Sequence, residues 1–289
     1  MKLTYLILLG LLHSIVSCQD KPVTAKKDYI LVEEDGITVE QFDSTNVEDN
    51  RYTQNNQTFT EGTVFTYGFE HTTATNEKRY FTWSEKEDAN GIKSEWHFVA
   101  KDSTDGNTIK KVQITVKPGL EPMIRYIPDY NQTIIQYKYL TNVGEAPFTG
   151  SSGVIENEAN VWMHPPRDRY FRILELNPFP FIKAPYKVGN KWEWNLGIGS
   201  AWGDTRWKTW EGSIENKYTY QITDQKTIST SVGELDCYVI ESTATSRIGK
   251  TTLTAYFNPK YGFVKLDYKN IDGSRTMLEL VEYLNGSKQ

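Results

Sequence analysis

Glu193, Asp204 and Glu211 stand among Trp192, Trp194, Trp202, Trp207 and Trp210, which are five of the chain's eight tryptophans. Two carboxyl groups facing each other across a sugar can cleave a glycosidic bond, one as acid and the other as base or nucleophile. Indole faces beside them would hold the sugar. Spacing along a chain sets no distance in space, however, and acids on the wet face of a strand give the same pattern. Glycoside hydrolysis is therefore the third of three functional readings.

Other catalytic chemistry is thinner still. The stretch "TGSSG" contains Ser151 and Ser152 but lacks the G-x-S-x-G pattern and the strand–elbow–helix setting of a nucleophile. No glycine-rich phosphate loop occurs. His71, His97 and His164 lack the spacing of a zinc site, so neither a metal nor a cofactor is expected. Cys237 alternates with Val239 in "ELDCYVIES" and reads as a buried strand thiol. In "VWMHPPRDRYF", Pro165 and Pro166 hold His164 and Arg167 on extended backbone. A rigidly presented His–Arg pair would suit an anionic ligand; the plainer reading is an ordered connection.

The tryptophans pose the main question. Trp192 and Trp194 share one face of an extended segment, Trp207 and Trp210 fall on opposite faces, and Trp202 sits in the glycine-rich "GIGSAWGD". They read either as core of a wide curved sheet or as a concave platform for a small apolar or carbohydrate ligand. Three or more lining one cavity would favour the ligand. Burial of all five would favour an envelope assembly protein that works through a protein interface.

The N-terminus supplies an address. "MKLTYLILLGLLHSIVSCQD" has one lysine, an apolar run and a small residue before Cys18, so residues 1–17 read as a signal peptide. The run is too short for a stable spanning helix. Ile15-Val16-Ser17-Cys18 matches a lipobox, which makes Cys18 a lipidation site and the membrane a partner through its acyl anchor. Several acyl chains anchor stably where one does not. With Cys18 acylated, Cys237 has no disulfide partner. Gln19 is not the aspartate that commonly signals inner-membrane retention, so the outer membrane is preferred, facing the periplasm or the exterior. Residues 18–45 read as a polar tether.

The elements that must position these residues are strands. Aromatics make up 13% of the 289 residues, and the net charge of −5 argues against nucleic acid. Val112, Ile114 and Val116 alternate with Lys111, Gln113 and Thr115. Leu253, Ala255 and Phe257 alternate with threonines and tyrosine, and Val264, Leu266 and Tyr268 with Lys265 and Asp267. Asn90-Gly91, Asp105-Gly106 and Asp272-Gly273 mark turns. The fold expected is mostly β: a large curved antiparallel meander, half-barrel or open-barrel-like. It comprises a block over 46–150 and another over 151–289, with Thr141–Gly153 as a linker or long loop. "EGTVFTYGF" echoes "VGNKWEWNL", which points to a duplicated unit.

From about His164 to Leu284 the chain resembles uncharacterised exported lipoproteins of the Bacteroidota. The residues that carry this are "ILELNPFP", "YKVGNKWEW", "VGELDCYVIES" and "YFNPKYGFVKLDY", with the lipobox cysteine. The resemblance implies a curved antiparallel sheet loosely like periplasmic lipoprotein carriers, with Gly189, Gly233, Pro259 and Gly262 as turn residues. It implies no activity. The protein expected is a non-enzymatic, membrane-anchored envelope lipoprotein that binds an apolar or carbohydrate ligand. Its expected contacts are Trp192, Trp194, Trp202, Trp207, Trp210, His164 and Arg167.

Overall fold

Alternating apolar and polar residues leave most of this chain one way to bury its aromatics, which is to pair strands and curl the sheet around them. The computed structural model describes residues 29–45, 55–88 and 91–286. The expected signal peptide, residues 1–17, and the expected lipidation site Cys18 lie outside the described residues. A short hairpin comes first, β1 (Leu31–Glu34) and β2 (Ile37–Glu40). The first meander follows: β3 (Val64–Thr72), β4 (Lys78–Asp88), β5 (Gly91–Val99), β6 (Ile109–Val116), β7 (Thr133–Thr141), β8 (Glu145–Glu156), β9 (Asn160–Met163) and β10 (Phe181–Lys183). The second comprises β11 (Lys191–Gly199), β12 (Ser213–Thr230), β13 (Gly233–Ser246), β14 (Gly249–Asn258), β15 (Gly262–Lys269) and β16 (Arg275–Leu284).

Twelve antiparallel strands run in the order β10-β9-β8-β7-β6-β3-β16-β15-β14-β13-β12-β11 and form a nearly closed barrel with one unsealed seam, between β10 and β11. The two meanders join where β16 pairs with β3. The β4–β5 hairpin branches off the far end of β3. The expected inward rows hold: Val112, Ile114, Val116, Leu253, Ala255, Phe257, Val264, Leu266 and Tyr268 are all buried. The echoed pairs, Phe65 with Tyr67 and Trp192 with Trp194, point inward in both meanders.

Two segments differ from the sequence reading. Thr141–Gly153 is no linker, because β8 runs through it and across the boundary between the two expected blocks. Its glycines are there for close approach. A Cβ on Gly150 would lie 2.2 Å from Asp168 Oδ2, and one on Gly153 would lie 1.9 Å from Gln132 Oε1. The second segment is 29–45, expected to be part of the tether, which forms the β1–β2 hairpin. Asp35 and Gly36 take φ of 49° and 89° at its turn, and Ile37 and Val39 are buried. Asn157 and Asn160 donate to the Thr38 carbonyl and pin the hairpin to β9.

The barrel is filled. After β9 the chain turns inward, and the 3₁₀ segment Arg169–Leu176 buries Tyr170, Phe171, Ile173, Leu174 and Leu176. Such a segment has imperfect hydrogen bonding of its own and needs outside partners. Inward polar side chains provide them. Asn216 and Thr251 both donate to the Leu176 carbonyl, while Asn177 donates to the Lys269 carbonyl. Tyr170 OH meets His71 Nδ1 at 2.8 Å and Thr276 Oγ1 at 2.7 Å, and Asn270 donates to it. Asn216, Thr251 and Thr276, buried polar residues on otherwise apolar strands, and Asn270 just past β15 form the seat of the plug.

His71 stacks on Phe98 at 3.9 Å, and burial pushes its imidazole down to about 4, with Asp272 opposing more weakly. The unfolded chain then takes up a proton below 6.5 that the folded chain refuses until about 4. This contribution to stability is whole above that window and falls as pH drops through it. The wild type is expected to lose about 2 to 3 kcal/mol more than His71→Phe between pH 7.5 and roughly 4.5, measured by urea unfolding. Parallel losses in the two proteins would contradict this.

Candidate functional site

The ladders place the turns 73–77, 200–212, 247–248 and 270–274 at one end of the barrel. There the β11–β12 loop meets Trp96 of β5 and the start of the plug. Glu95, Trp96, Arg169, Arg172, Asp204 and Arg206 line an open pocket of about 450 Å³. That volume is of the size small-ligand sites use. Trp96 is rooted in the core by edge contacts to Tyr170 and Phe81 at 5.8 Å each. Trp207 stacks on it at 6.2 Å with the ring planes 20° apart.

Arg206 lies over the Trp96 ring, 3.5 Å from its centroid. Its Nε and Nη2 reach the two oxygens of Asp204 at 2.8 and 2.5 Å. These hydrogen bonds hold the Asp204 carboxyl below its ordinary range. The result is a flat guanidinium–carboxylate pair spread on an indole, a stiff wall bearing both donors and an acceptor. Arg167 and Arg172 lie 5.7 and 5.5 Å from the Trp202 centroid, and Arg172 donates to the Ala201 carbonyl.

Arg169 is the strained member. Its φ of 54° is left-handed, which is costly for a side chain with a Cβ, by about 1 kcal/mol. Its Nε is buried without a hydrogen-bond partner, and its guanidinium sits 5.1 Å over Phe148. An unpaired buried donor costs about 1 to 3 kcal/mol more. Arg169 thus joins a strained backbone to an unpaired buried donor beside the pocket.

The five expected tryptophans are divided. Trp192 and Trp194 stack inside the sheet on Tyr220 and Tyr218 at 5.4 and 4.8 Å. Trp207 is buried, whereas Trp202 and Trp210 are half-buried. Neither criterion set by the sequence is met, since only three of the five are buried and the pocket is lined by a sixth indole, Trp96. Trp192 borders an outer groove of about 560 Å³ with Glu193, and Trp194 borders a cleft of about 260 Å³ beneath the β1–β2 hairpin. His164 borders that cleft as well, and burial holds its imidazole well below its ordinary range. Arg167 bonds Glu175 at 3.3 Å and Ser152 at 3.2 Å, and its charge also helps hold the His164 imidazole neutral.

The three carboxylates are likewise separate. Glu193 lines the outer groove, Asp204 the arginine pocket, and Glu211 offers its backbone carbonyl to Arg247. Asp204, held ionised by Arg206, is a poor proton donor. Cys237 is buried in β13, and burial pushes its thiol up to about 11, which makes it inert.

The sequence reading missed Trp96, Arg169, Arg172 and Arg206. The signal available was "RDRYFR", three arginines in six residues of an acidic chain, and the Arg206-Trp207 step.

The chain is similar to solved structures described as lipoproteins and as an exported protein. A Parabacteroides distasonis protein described as a lipoprotein shares 12% identity, with 78% of this chain and 97% of that one covered and a TM-score of 0.40. An exported protein with a YmcC-like fold from Bacteroides fragilis shares 12%, covering 78% and 96%, with a TM-score of 0.41. The lipoprotein YmcC of Escherichia coli shares 8%, covering 82% and 92%, with a TM-score of 0.33. Two of the three come from the Bacteroidota, the group the sequence motifs resemble. No family model and no curated protein matches. At such identities and scores, function has to be read from this chain's own residues.

Proposed function

We propose that this protein is a non-enzymatic envelope lipoprotein, tethered through Cys18, that binds a carbohydrate in the pocket of Trp96, Arg169, Arg172, Asp204 and Arg206. The observation that carries the reading is the mixed lining of that pocket. Sugar hydroxyls need donors and acceptors together, and the arginines and two carboxylates supply both beside an indole wall. An acyl chain would find no such use for three guanidiniums, and the plug occupies the interior where lipid carriers hold their cargo. The apolar branch of the expected ligand class is therefore set aside.

Orientation supports the tether. Tyr29, the first described residue, donates to Glu158 at 2.6 Å in the β8–β9 turn. The ladders put that turn at the end of the barrel opposite the pocket. A chain anchored ahead of Tyr29 thus holds the pocket away from the lipid surface. No helix among the described residues is long and apolar enough to cross a membrane.

Two arms test the proposal. Mass spectrometry of the natively produced chain is expected to find Cys18 acylated and N-terminal. A glycan array is expected to show a bound subset that Trp96→Ala abolishes. An unmodified Cys18 sinks the tether, and an array on which the wild type binds nothing sinks the ligand.

A further inference from the structure

We infer that the pocket recognises a carboxylate carried on a sugar ring, as in a uronic acid. The inference rests on the carbohydrate reading above and sharpens it to a charged class. Three guanidiniums face two carboxylates in the pocket, leaving one positive charge on a chain whose net charge is −5. Arg206 and Asp204 satisfy each other. Arg167, just outside, is spent on Glu175. Arg169 and Arg172 have no ion pair among the described residues.

Arg169 and Arg172 are placed to receive an anion. Arg172 bonds the Ala201 carbonyl, rests against Trp202 and reaches Asp204 and Glu175 only at longer electrostatic range. Arg169 holds a left-handed backbone and a buried, unpartnered Nε. An oxyanion, which accepts several donors at once, would offset the unpaired charge on the two guanidiniums. The charge left over is a single one, so one ring's carboxylate balances the pocket and a phosphate dianion overshoots it. A carboxylate is planar and matches the guanidinium fork edge to edge. Its sugar ring would lie along the Arg206–Asp204 plane on Trp96, with hydroxyls to Glu95.

The test is calorimetry on the full chain in detergent, titrated with trigalacturonic acid and with its neutral methyl ester. The acid is expected to bind at least about tenfold tighter than the ester, the worth of one charge-assisted contact. Added salt should shrink the difference. Arg172→Gln and Arg169→Gly are each expected to erase the preference. Arg169→Gly serves because a φ of 54° suits glycine, so loss of binding there is not loss of fold. Equal binding of acid and ester that depends on Trp96 overturns the anion inference and leaves the carbohydrate reading standing. A preference for the acid that survives both arginine variants also overturns it. No binding of either oligosaccharide overturns both.

Discussion

Phe171→Ala is expected to lower the stability of the folded chain by about 4 kcal/mol, the middle of the range for emptying a buried phenyl site. Phe171 is fully buried in the plug. It stacks on Tyr139 at 5.2 Å and meets Phe69 at 5.0 Å and Phe81 at 5.9 Å. Those three rings come from β7, β3 and β4, so one side chain ties the plug to three strands. The walls are paired strands and cannot close on the gap, which leaves the cavity open. In a chain of this size the melting midpoint should fall by on the order of 10 °C. Phe171→Leu should recover most of the loss. A change under about 1 kcal/mol in Phe171→Ala would mean the plug is not seated in the barrel.

The second large effect concerns Arg167. Glu175 is only 3% exposed, and its carboxyl is pushed up by burial, with Arg167 the main force pulling it back. Arg167→Ala leaves that carboxylate buried without its partner and strips a bond from Ser152. The expected loss is about 3 kcal/mol at neutral pH. The sign with pH is fixed. A carboxyl whose folded value is raised prefers its proton, so the folded state gains relative to the unfolded one as pH falls. The penalty in Arg167→Ala should therefore shrink between pH 7 and about 5, measured by urea unfolding against the wild type. The double variant Arg167→Ala/Glu175→Gln should recover most of it at neutral pH. A penalty that is flat with pH would show that Arg167 acts by packing alone.

The sheet was legible where alternation is strict, as in Val112–Val116, Leu253–Phe257 and Val264–Tyr268. It was not legible at Gly150 and Gly153, because glycine reads as a loop. Their absent side chains leave room for Asp168, Gln132 and Tyr130. The β1–β2 hairpin carried its own signal in Asp35-Gly36, but Glu33 and Glu34 made the segment look like a solvated run. Both errors come from reading polarity where geometry governs.

The site was legible only in part. Trp202 and Trp207 lie in the stretch the sequence marked, and Arg167 lies beside the arginines that matter. Trp96 sits 73 residues before Arg169 in sequence and meets it only through a branching hairpin and an inward turn of the chain. No local period encodes such a meeting. The plug itself is a 3₁₀ segment, too irregular for a helical pattern, and the prolines before it read as a plain connection. The signal that went unread was the polar residues on inward rows, Asn216, Thr251 and Thr276, with Asn270 just past β15. Each binds backbone or side chain of the plug or its neighbours.

The most direct measurement is hydrogen exchange of the full chain, with and without trigalacturonic acid, read by mass spectrometry. Protection is expected in peptides spanning 95–99, 167–174 and 200–210, with the outer groove of β11–β14 and the β1–β2 hairpin unchanged. Protection confined to the groove or the hairpin would contradict the assignment of the arginine and tryptophan pocket as the ligand site.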